Sequence, residues 1–187
     1  PKLYEWSEAA IPGASDLSED EVMALMGEMT VFLIDEAVRR REAPGDDLIS
    51  TVALAELDGR RLDDVEISMF LIQLLVAGNE TTRNLISGGL VALAHHPEQW
   101  ERLRRDRSLV PTAVEELLRW TTSVTSFIRT ATVDTTLGGV EIAAGDPVLL
   151  LYGSANRDEA AFGPTAGTLD VGRTPNHHLA FGFGAHF

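Results

Sequence analysis

The sequence predicts a mainly α-helical fold with a small β region, and three observations carry this prediction. Apolar residues between positions 18 and 41 recur at three- and four-residue steps, as they do on one face of an amphipathic helix. A longer stretch from about residue 63 to residue 94 indicates a single long helix. After Thr121, threonine, valine and isoleucine alternate, which is typical of short strands.

The helices are predicted from their start and stop signals. Ser18 can cap the first helix together with Glu21 three residues later, and Ala43-Pro44-Gly45 ends that helix near Arg41. A shorter helix is predicted over residues 48–57, followed by a turn at residues 58–60. The long helix begins at residues 63–64 and ends near Ala94, before His95-His96-Pro97. Two more helices are predicted over residues 97–105 and 111–120.

The β region is predicted around a turn at residues 137–139. This turn would join a strand over residues 128–134 to a strand over residues 140–142, and residues 148–152 would form a further strand. Residues 163–174 are rich in glycine, proline and threonine and predict an irregular segment. We find no repeats or linkers, so residues 1–187 are interpreted as part of one domain.

Composition excludes several classes of function. The formal net charge of -14 repels phosphate backbones, so nucleic acid is not an expected partner. The chain has no cysteine, which is compatible with a reducing cytoplasm and excludes disulfides and thiolate ligands within these residues. The longest apolar run, Met69–Ala77, is too short for a membrane span. The five histidines show no zinc-ligand spacing.

The long helix carries a polar segment, Gly78-Asn79-Glu80-Thr81-Thr82, directly after the run Phe70–Ala77, which is apolar nearly all round and is predicted to be buried. A glycine followed by hydroxyl side chains can weaken the helical ladder and open a groove for water or a small ligand. Glu80 and Thr81 could then relay protons to that ligand. The alternative, which stays open on these residues alone, is a polar patch at the helix surface.

Glu116 and Arg119 are adjacent on one face of a predicted helix. A solvated surface pair explains this spacing equally well, because the same spacing occurs three more times in the chain. The other pairs are Glu36/Arg39, Glu80/Arg83 and Glu101/Arg104.

The chain ends in a glycine-punctuated loop, residues 181–187, with histidines at positions 178 and 186. These imidazoles could meet an anionic ligand or could simply be solvated.

Three motifs in fixed order resemble the cytochrome P450 family, soluble bacterial branch. They are Ala77–Thr82, Glu116–Arg119 and Phe181–His186, and the similarity extends across the whole chain. The resemblance implies a P450 fold, here partial, and a haem b cofactor. It also implies that the long helix crosses the distal face of the haem.

The resemblance assigns a role to each motif. Glu80 and Thr81 would deliver protons, while Ala77 and Gly78 would leave a groove for dioxygen. A buried charge network would be formed by Glu116, Arg119 and Arg173. The remaining positions would bind or shield the haem, namely Arg129, His178 and His186 at the propionates and Phe181, Gly182 and Gly184 in the loop around the thiolate.

The resemblance further implies that no metal ligand lies within the chain and that the cysteine that binds iron follows immediately after Phe187. Residues 1–187 would then be one partial catalytic domain, truncated at both ends and inactive by itself. The gap is serious because the thiolate ligand favours O–O cleavage.

The implied reaction inserts one oxygen atom from dioxygen into a C–H bond of a small apolar substrate, such as a sterol, a terpenoid or an alkyl chain. Electrons would come from NAD(P)H through a ferredoxin or flavodoxin-type donor in the cytoplasm. Val124, Ser126 and Phe127 could wall the substrate pocket.

Two alternatives to the enzyme remain, a degenerate haem-binding relative that has lost its thiolate and a non-catalytic helical interaction domain. Residues 163–169 also depart from the family pattern, with small residues where an acidic-proline turn and a phenylalanine are usual.

Overall fold

The computed structural model describes residues 2–11 and 16–184. The chain divides into two compact units, Pro1–Glu80 and Thr81–Phe187. Helix α4 (Asp64–His95) supplies residues to both units. The predicted fold class is confirmed, because helices dominate the described residues and the three sheets have two strands each.

The first unit is helical. It contains α1 (Lys2–Ala9), α2 (Glu19–Glu42), α3 (Leu48–Ala53) and the beginning of α4. Apolar side chains from all four helices form its buried core, which consists of Trp6, Met29, Leu33, Ala37, Val52, Ala53, Ile67 and Leu71. Ser18 and Glu21 form the predicted capping box at the start of α2. Helix α1 was not predicted from the sequence.

The helix predicted over residues 48–57 ends earlier than expected. Helix α3 stops at Ala53, and β1 (Glu56–Leu57) pairs antiparallel with β2 (Arg60–Arg61). Asp58 and Gly59 both have positive φ, 53° and 76°, which reverses the chain in the two-residue turn between these strands. Residues 56–57, the last two of the predicted helix, therefore form the first strand of a hairpin.

The first unit also has an apolar groove of about 890 Å³ between its helices. Side chains of α2 and α4 line it and are partly exposed, including Val31, Phe32 and Leu74. Met69 and Phe70 are exposed as well. The prediction that residues 70–77 are buried is therefore wrong for one side of α4, where only residues such as Leu71 face the core.

The second unit begins within α4 and continues with α5 (Pro97–Arg105) and α6 (Val110–Thr121), as predicted to within a residue. Its buried core is formed by Ala92, Leu93, Ala113, Leu169 and Val171. Short helices α7 (Tyr152–Ala155) and α8 (Glu159–Phe162), which the sequence did not predict, follow the strands.

The strands pair differently from the prediction. In one sheet β3 (Ser126–Thr130) pairs antiparallel with β6 (Pro147–Leu151), and in the other β4 (Thr135–Leu137) pairs with β5 (Val140–Ile142). Of the predicted strand over residues 128–134, only residues 128–130 lie in a strand, β3, and the strand that pairs with β5 begins later, at Thr135. The hairpin turn at residues 138–139 is where it was expected, with positive φ at both glycines.

Candidate functional site

A fully buried ion pair is the centre of the site. Arg119 Nε donates to Glu116 Oε2 at 2.7 Å, and Arg119 Nη2 donates to Oε1 at 2.8 Å. Both side chains are 0% exposed. The i,i+3 spacing on α6 brings the carboxylate and the guanidinium together, so this pair is not the solvated surface pair that spacing alone allowed.

Glu116 also binds three groups from the chain beyond α8. Arg173 Nε and Asn176 Nδ2 donate to Oε2 at 3.0 and 3.1 Å, and the backbone N–H of Asp170 donates to Oε1 at 2.9 Å. The structure therefore brings Glu116, Arg119 and Arg173 together in one cluster. Five donors on one carboxylate compensate its loss of water.

The two guanidiniums of this cluster spread their charge over backbone carbonyls. Arg119 Nη1 donates to the carbonyl oxygens of Asn156 and Ala166, at 2.6 and 2.8 Å. Arg173 Nη2 donates to Thr165 O at 2.8 Å and Thr168 O at 3.0 Å. Three of these four carbonyls, those of Thr165, Ala166 and Thr168, belong to the segment after α8, so the cluster fixes a segment that is in neither an α-helix nor a strand.

Asn156 extends the cluster toward the terminal loop. Its side chain is buried, its Nδ2 donates to Thr122 Oγ1 at 2.9 Å, and its Oδ1 accepts from the backbone N–H of Leu179 at 2.7 Å. Thr122 ends α6 in a left-handed conformation and donates its hydroxyl to Arg119 O at 2.8 Å. Asn156 thus contacts both the end of α6 and the start of the loop.

His178 is already engaged inside the protein. Its Nε2 lies 2.9 Å from Glu115 Oε2, and the backbone N–H of Ala180 donates to Nδ1 at 3.2 Å. With Nδ1 accepting, Nε2 carries the proton and donates to Glu115. The side chain is only 6% exposed. A propionate at His178, as the resemblance implies, would have to replace Glu115.

The described part of the glycine loop, residues 181–184, combines a tight backbone with exposed aromatic rings. Gly182 has φ 76°, and a Cβ there would lie 3.3 Å from the hydroxyl of Tyr152. Gly184 has φ 116°. Phe181 and Phe183 are 69% and 86% exposed. His186 lies outside the described residues.

Arg129 lies on β3 beside an exposed aromatic ring. Its guanidinium is 5.4 Å from the ring centre of Phe127 and donates to Ile128 O at 3.2 Å. Within residues 2–11 and 16–184, no carboxylate pairs with Arg129. Phe127 is half exposed, and Val124 and Ser126 are partly buried. All three side chains are thus accessible enough to contact an apolar ligand.

The polar segment of α4 stays helical. The helix is continuous from Asp64 to His95, so the expected weakening of the ladder does not interrupt it. Ala77 and Gly78 are exposed, nothing lies within 4 Å of a Cβ added at Gly78, and Glu80 and Thr81 are partly buried. Asn79 Nδ2 donates to Ser7 Oγ of α1 at 2.9 Å, so α1 holds this part of α4.

The sequence did not identify Glu115, Asn156 and Asn176 as parts of the site. Asn156 lies in a stretch that carries the family resemblance, but its partners are distant in sequence and no local pattern pairs them. Among the described residues, no group of three or more His, Cys, Asp or Glu lies close enough together to hold a metal ion. In that same part of the chain, no helix has the length and apolarity to cross a membrane.

Residues 20–187 match the family model Cytochrome P450. The chain is 41% identical to a steroid C26-monooxygenase of Mycolicibacterium smegmatis over 99% of its own length and 47% of the relative's. It is 45% identical to a methyl-branched lipid omega-hydroxylase of Mycobacterium bovis, over 100% of this chain and 44% of that protein.

A solved structure agrees with these sequence matches. The cytochrome P450 PksS of the Bacillus subtilis bacillaene polyketide synthase superimposes with a TM-score of 0.92 at 37% identity, covering 100% of this chain and 48% of that one. The chain therefore spans about half the length of the curated relatives and solved structure that it matches.

Proposed function

The chain belongs to the cytochrome P450 family, and on this premise we propose that it is part of a haem-thiolate monooxygenase that oxidises an apolar substrate. The observation that carries the proposal is the buried cluster of Glu116, Arg119 and Arg173, which leads through Asn156 to a glycine loop. The remaining half of the enzyme, including the cysteine ligand, would lie outside these 187 residues. That half would also cover the apolar groove of the first unit.

In this proposal, residues of the second unit would bind the edge of the haem. Arg129 is a cation with no carboxylate partner in the described residues, and it lies beside the exposed ring of Phe127. Arg129 would bind a propionate by a charge-assisted hydrogen bond, with His186 as a further candidate, whereas His178 would do so only if it released Glu115. Phe181, Gly182 and Gly184 would surround the thiolate, and the positive φ of both glycines lets backbone N–H groups approach it.

Haem, when bound, supplies the one-electron chemistry with dioxygen that a protein side chain cannot perform. One oxygen atom of dioxygen enters a substrate C–H bond and the other leaves as water, which consumes two electrons and two protons. In our proposal the Glu80 carboxyl group and the Thr81 hydroxyl deliver those protons from solvent. Ala77 and Gly78, which present no bulky side chain, leave room beside them.

The electrons come from NAD(P)H in this proposal, through a ferredoxin or flavodoxin-type donor in the cytoplasm. The substrate would be a sterol, a terpenoid or a branched alkyl chain. Two relatives support this substrate class, since one is named a steroid C26-monooxygenase and the other a methyl-branched lipid omega-hydroxylase. Val124 and Phe127 would contact such a molecule.

The proposal is tested on the full-length protein, purified and reduced under carbon monoxide. We expect the red-shifted Soret band of a thiolate-ligated haem. A haem-loaded protein with an unshifted band would indicate the degenerate relative instead. A folded protein that takes up no haem would indicate the helical interaction domain and would refute the enzyme.

Thr81→Ala in the full-length enzyme provides a test of the proton-delivery role. Substrate binding and haem reduction should remain, while reducing equivalents go to hydrogen peroxide or water, because a protonation step is worth about 10²–10⁴-fold in rate. The measurement is product formed per NAD(P)H consumed. Thr82→Ala, which removes the exposed neighbouring hydroxyl, is the matched control and should couple as the unmodified enzyme does. If Thr81→Ala also formed as much product per NAD(P)H as the unmodified enzyme, Thr81 would be excluded from proton delivery.

A further inference from the structure

Asn156 is a fully buried side chain to which the proposed reaction assigns no part. It follows α7, and its side-chain amide uses both ends, with Nδ2 bound to Thr122 Oγ1 and Oδ1 bound to the Leu179 N–H. Its own carbonyl accepts from Arg119 at 2.6 Å. One residue therefore touches the charge cluster through its backbone and the terminal loop through its side chain.

The segment that Asn156 reaches has no helix or strand to hold it. Residues 176–184 contain one turn, closed by Gly182 N–H donating to Leu179 O at 3.0 Å. Side-chain hydrogen bonds tie the segment to α6 and α7 at three successive points. Asn176 binds Glu116, His178 binds Glu115, and Leu179 binds Asn156.

Glu115 and Glu116 are consecutive on α6 and make different kinds of contact. Glu116 is inside the cluster, whereas Glu115 is 54% exposed and bonds to the buried ring of His178. Both ring nitrogens of His178 are in use, which leaves its N–H no free direction toward a ligand. His178 therefore has the geometry of a group that holds the loop to α6.

We propose that Asn156 and the Glu115–His178 pair are positioning residues that fix the start of the glycine loop relative to α6, and thereby the N–H groups that would face the haem thiolate. The inference rests on the proposed function for its effect on the haem. The anchor itself is a property of the described residues alone. The proposal assigns His178 to the protein scaffold, whereas the family resemblance would make this residue a propionate ligand.

Hydrogen exchange in the full-length protein tests the anchor independently of haem. In the unmodified protein the Leu179 amide should exchange slowly although it lies in a loop, because Asn156 Oδ1 accepts its proton. In Asn156→Ala this amide should exchange about tenfold faster. Thr122→Val, which breaks the other bond of the same amide group and keeps a β-branched residue, should leave the Leu179 amide protected.

The same variants are then reduced under carbon monoxide. Asn156→Ala should convert a measurable part of the red-shifted Soret band to the unshifted form, and Thr122→Val should do so less. Glu115→Ala removes an exposed side chain and should fold. It should raise exchange at Ala180, whose N–H bonds to His178, and should also increase the unshifted fraction.

Each outcome decides something different. A Leu179 amide that exchanges as fast as a solvent-exposed amide in the unmodified protein overturns the anchor, whether or not Asn156→Ala folds. Unchanged or tighter haem binding with an unaltered band in Glu115→Ala shows that the Glu115–His178 bond does not position the loop and overturns the scaffold role of His178. Slow exchange at Leu179 in a protein that binds no haem keeps the anchor and refutes the proposed function.

Discussion

A bidentate glutamate–arginine pair at the surface can be compared with one inside the protein. In the exposed pair, Arg60 of β2 donates to both oxygens of Glu66 on α4, at 2.6 Å each, with side chains 58% and 38% exposed. In the buried pair, Arg119 donates to Glu116 at 2.7 and 2.8 Å. The exposed pair has the shorter bonds, so distance does not rank the two.

The difference lies in what replaces each bond when it breaks. Water can solvate Arg60 and Glu66 at once, which is why exposed pairs contribute little to stability. No water reaches Glu116 or Arg119, so a broken pair leaves an uncompensated charge inside the protein. The environment therefore decides how much a pair matters, and each of the following substitutions tests that statement.

Arg119→Ala should have the largest effect. It leaves Glu116 buried with fewer donors and removes the donor from the carbonyls of Asn156 and Ala166, at a cost of roughly 3–5 kcal/mol. We expect little soluble, haem-loaded full-length protein. The measurement is haem-loaded yield, with denaturant unfolding of whatever folds.

The matched control is Arg39→Ala, which breaks a pair with the same i,i+3 spacing at an exposed position on α2. That variant should lose about 0–1 kcal/mol. Equal losses in the two variants would mean that burial is not what separates them.

Arg173→Ala should have a smaller effect. Arg119 still neutralises Glu116 after the change, so the loss is that of hydrogen bonds to Glu116, Thr165 and Thr168, about 1–3 kcal/mol. The free energy of unfolding should fall between the values for Arg119→Ala and Arg39→Ala. A loss as large as that of Arg119→Ala would show that two cations, not one, are required to stabilise the carboxylate.

The exposed pair should affect mainly the pH dependence of the free energy of unfolding. Arg60, followed by the backbone N–H of Asp63, lowers the pKa of Glu66 to about 2 from its ordinary 4.5. A depressed pKa contributes stability that is fully present above pH 4.5 and is lost as the pH falls through about 2. Arg60→Gln should therefore reduce the acid sensitivity of unfolding within this window.

Denaturant midpoints of Arg60→Gln and the unmodified protein, compared from pH 7 to pH 2, measure this contribution. The difference between the two proteins should be small and constant above pH 4.5 and should shrink toward pH 2. A difference that grows as the pH falls would mean that Arg60 does not stabilise the ionised form of Glu66.

The four Glu-x-x-Arg spacings show what the sequence can and cannot predict. The capping box at Ser18 is a local pattern and is found as predicted. Spacing alone could not separate Glu116/Arg119 from Glu36/Arg39, because burial depends on chain segments more than forty residues away. Only the order of the motifs along the chain, through a family resemblance, selected the buried pair and its closing Arg173.

Strand pairing and the loop anchor show the same limit. The turn at residues 138–139 follows from two glycines, whereas the pairing of β3 with β6 joins segments separated by the whole β4–β5 hairpin. Asn156 reaches Thr122 and Leu179, which lie 34 and 23 positions away. Such contacts depend on the packing of the whole unit and leave no periodic signal in the sequence.

Thr122 illustrates why the residue that suits a backbone best is not always the one a protein can use. Its φ of 44° is unusual for a β-branched residue, and glycine would relieve a strain of about 1–3 kcal/mol. Glycine would also delete the hydroxyl that joins Arg119 O to Asn156 Nδ2. A stabilisation programme guided by backbone angles alone would select Thr122→Gly and would disconnect the helix end from the asparagine that leads to the loop.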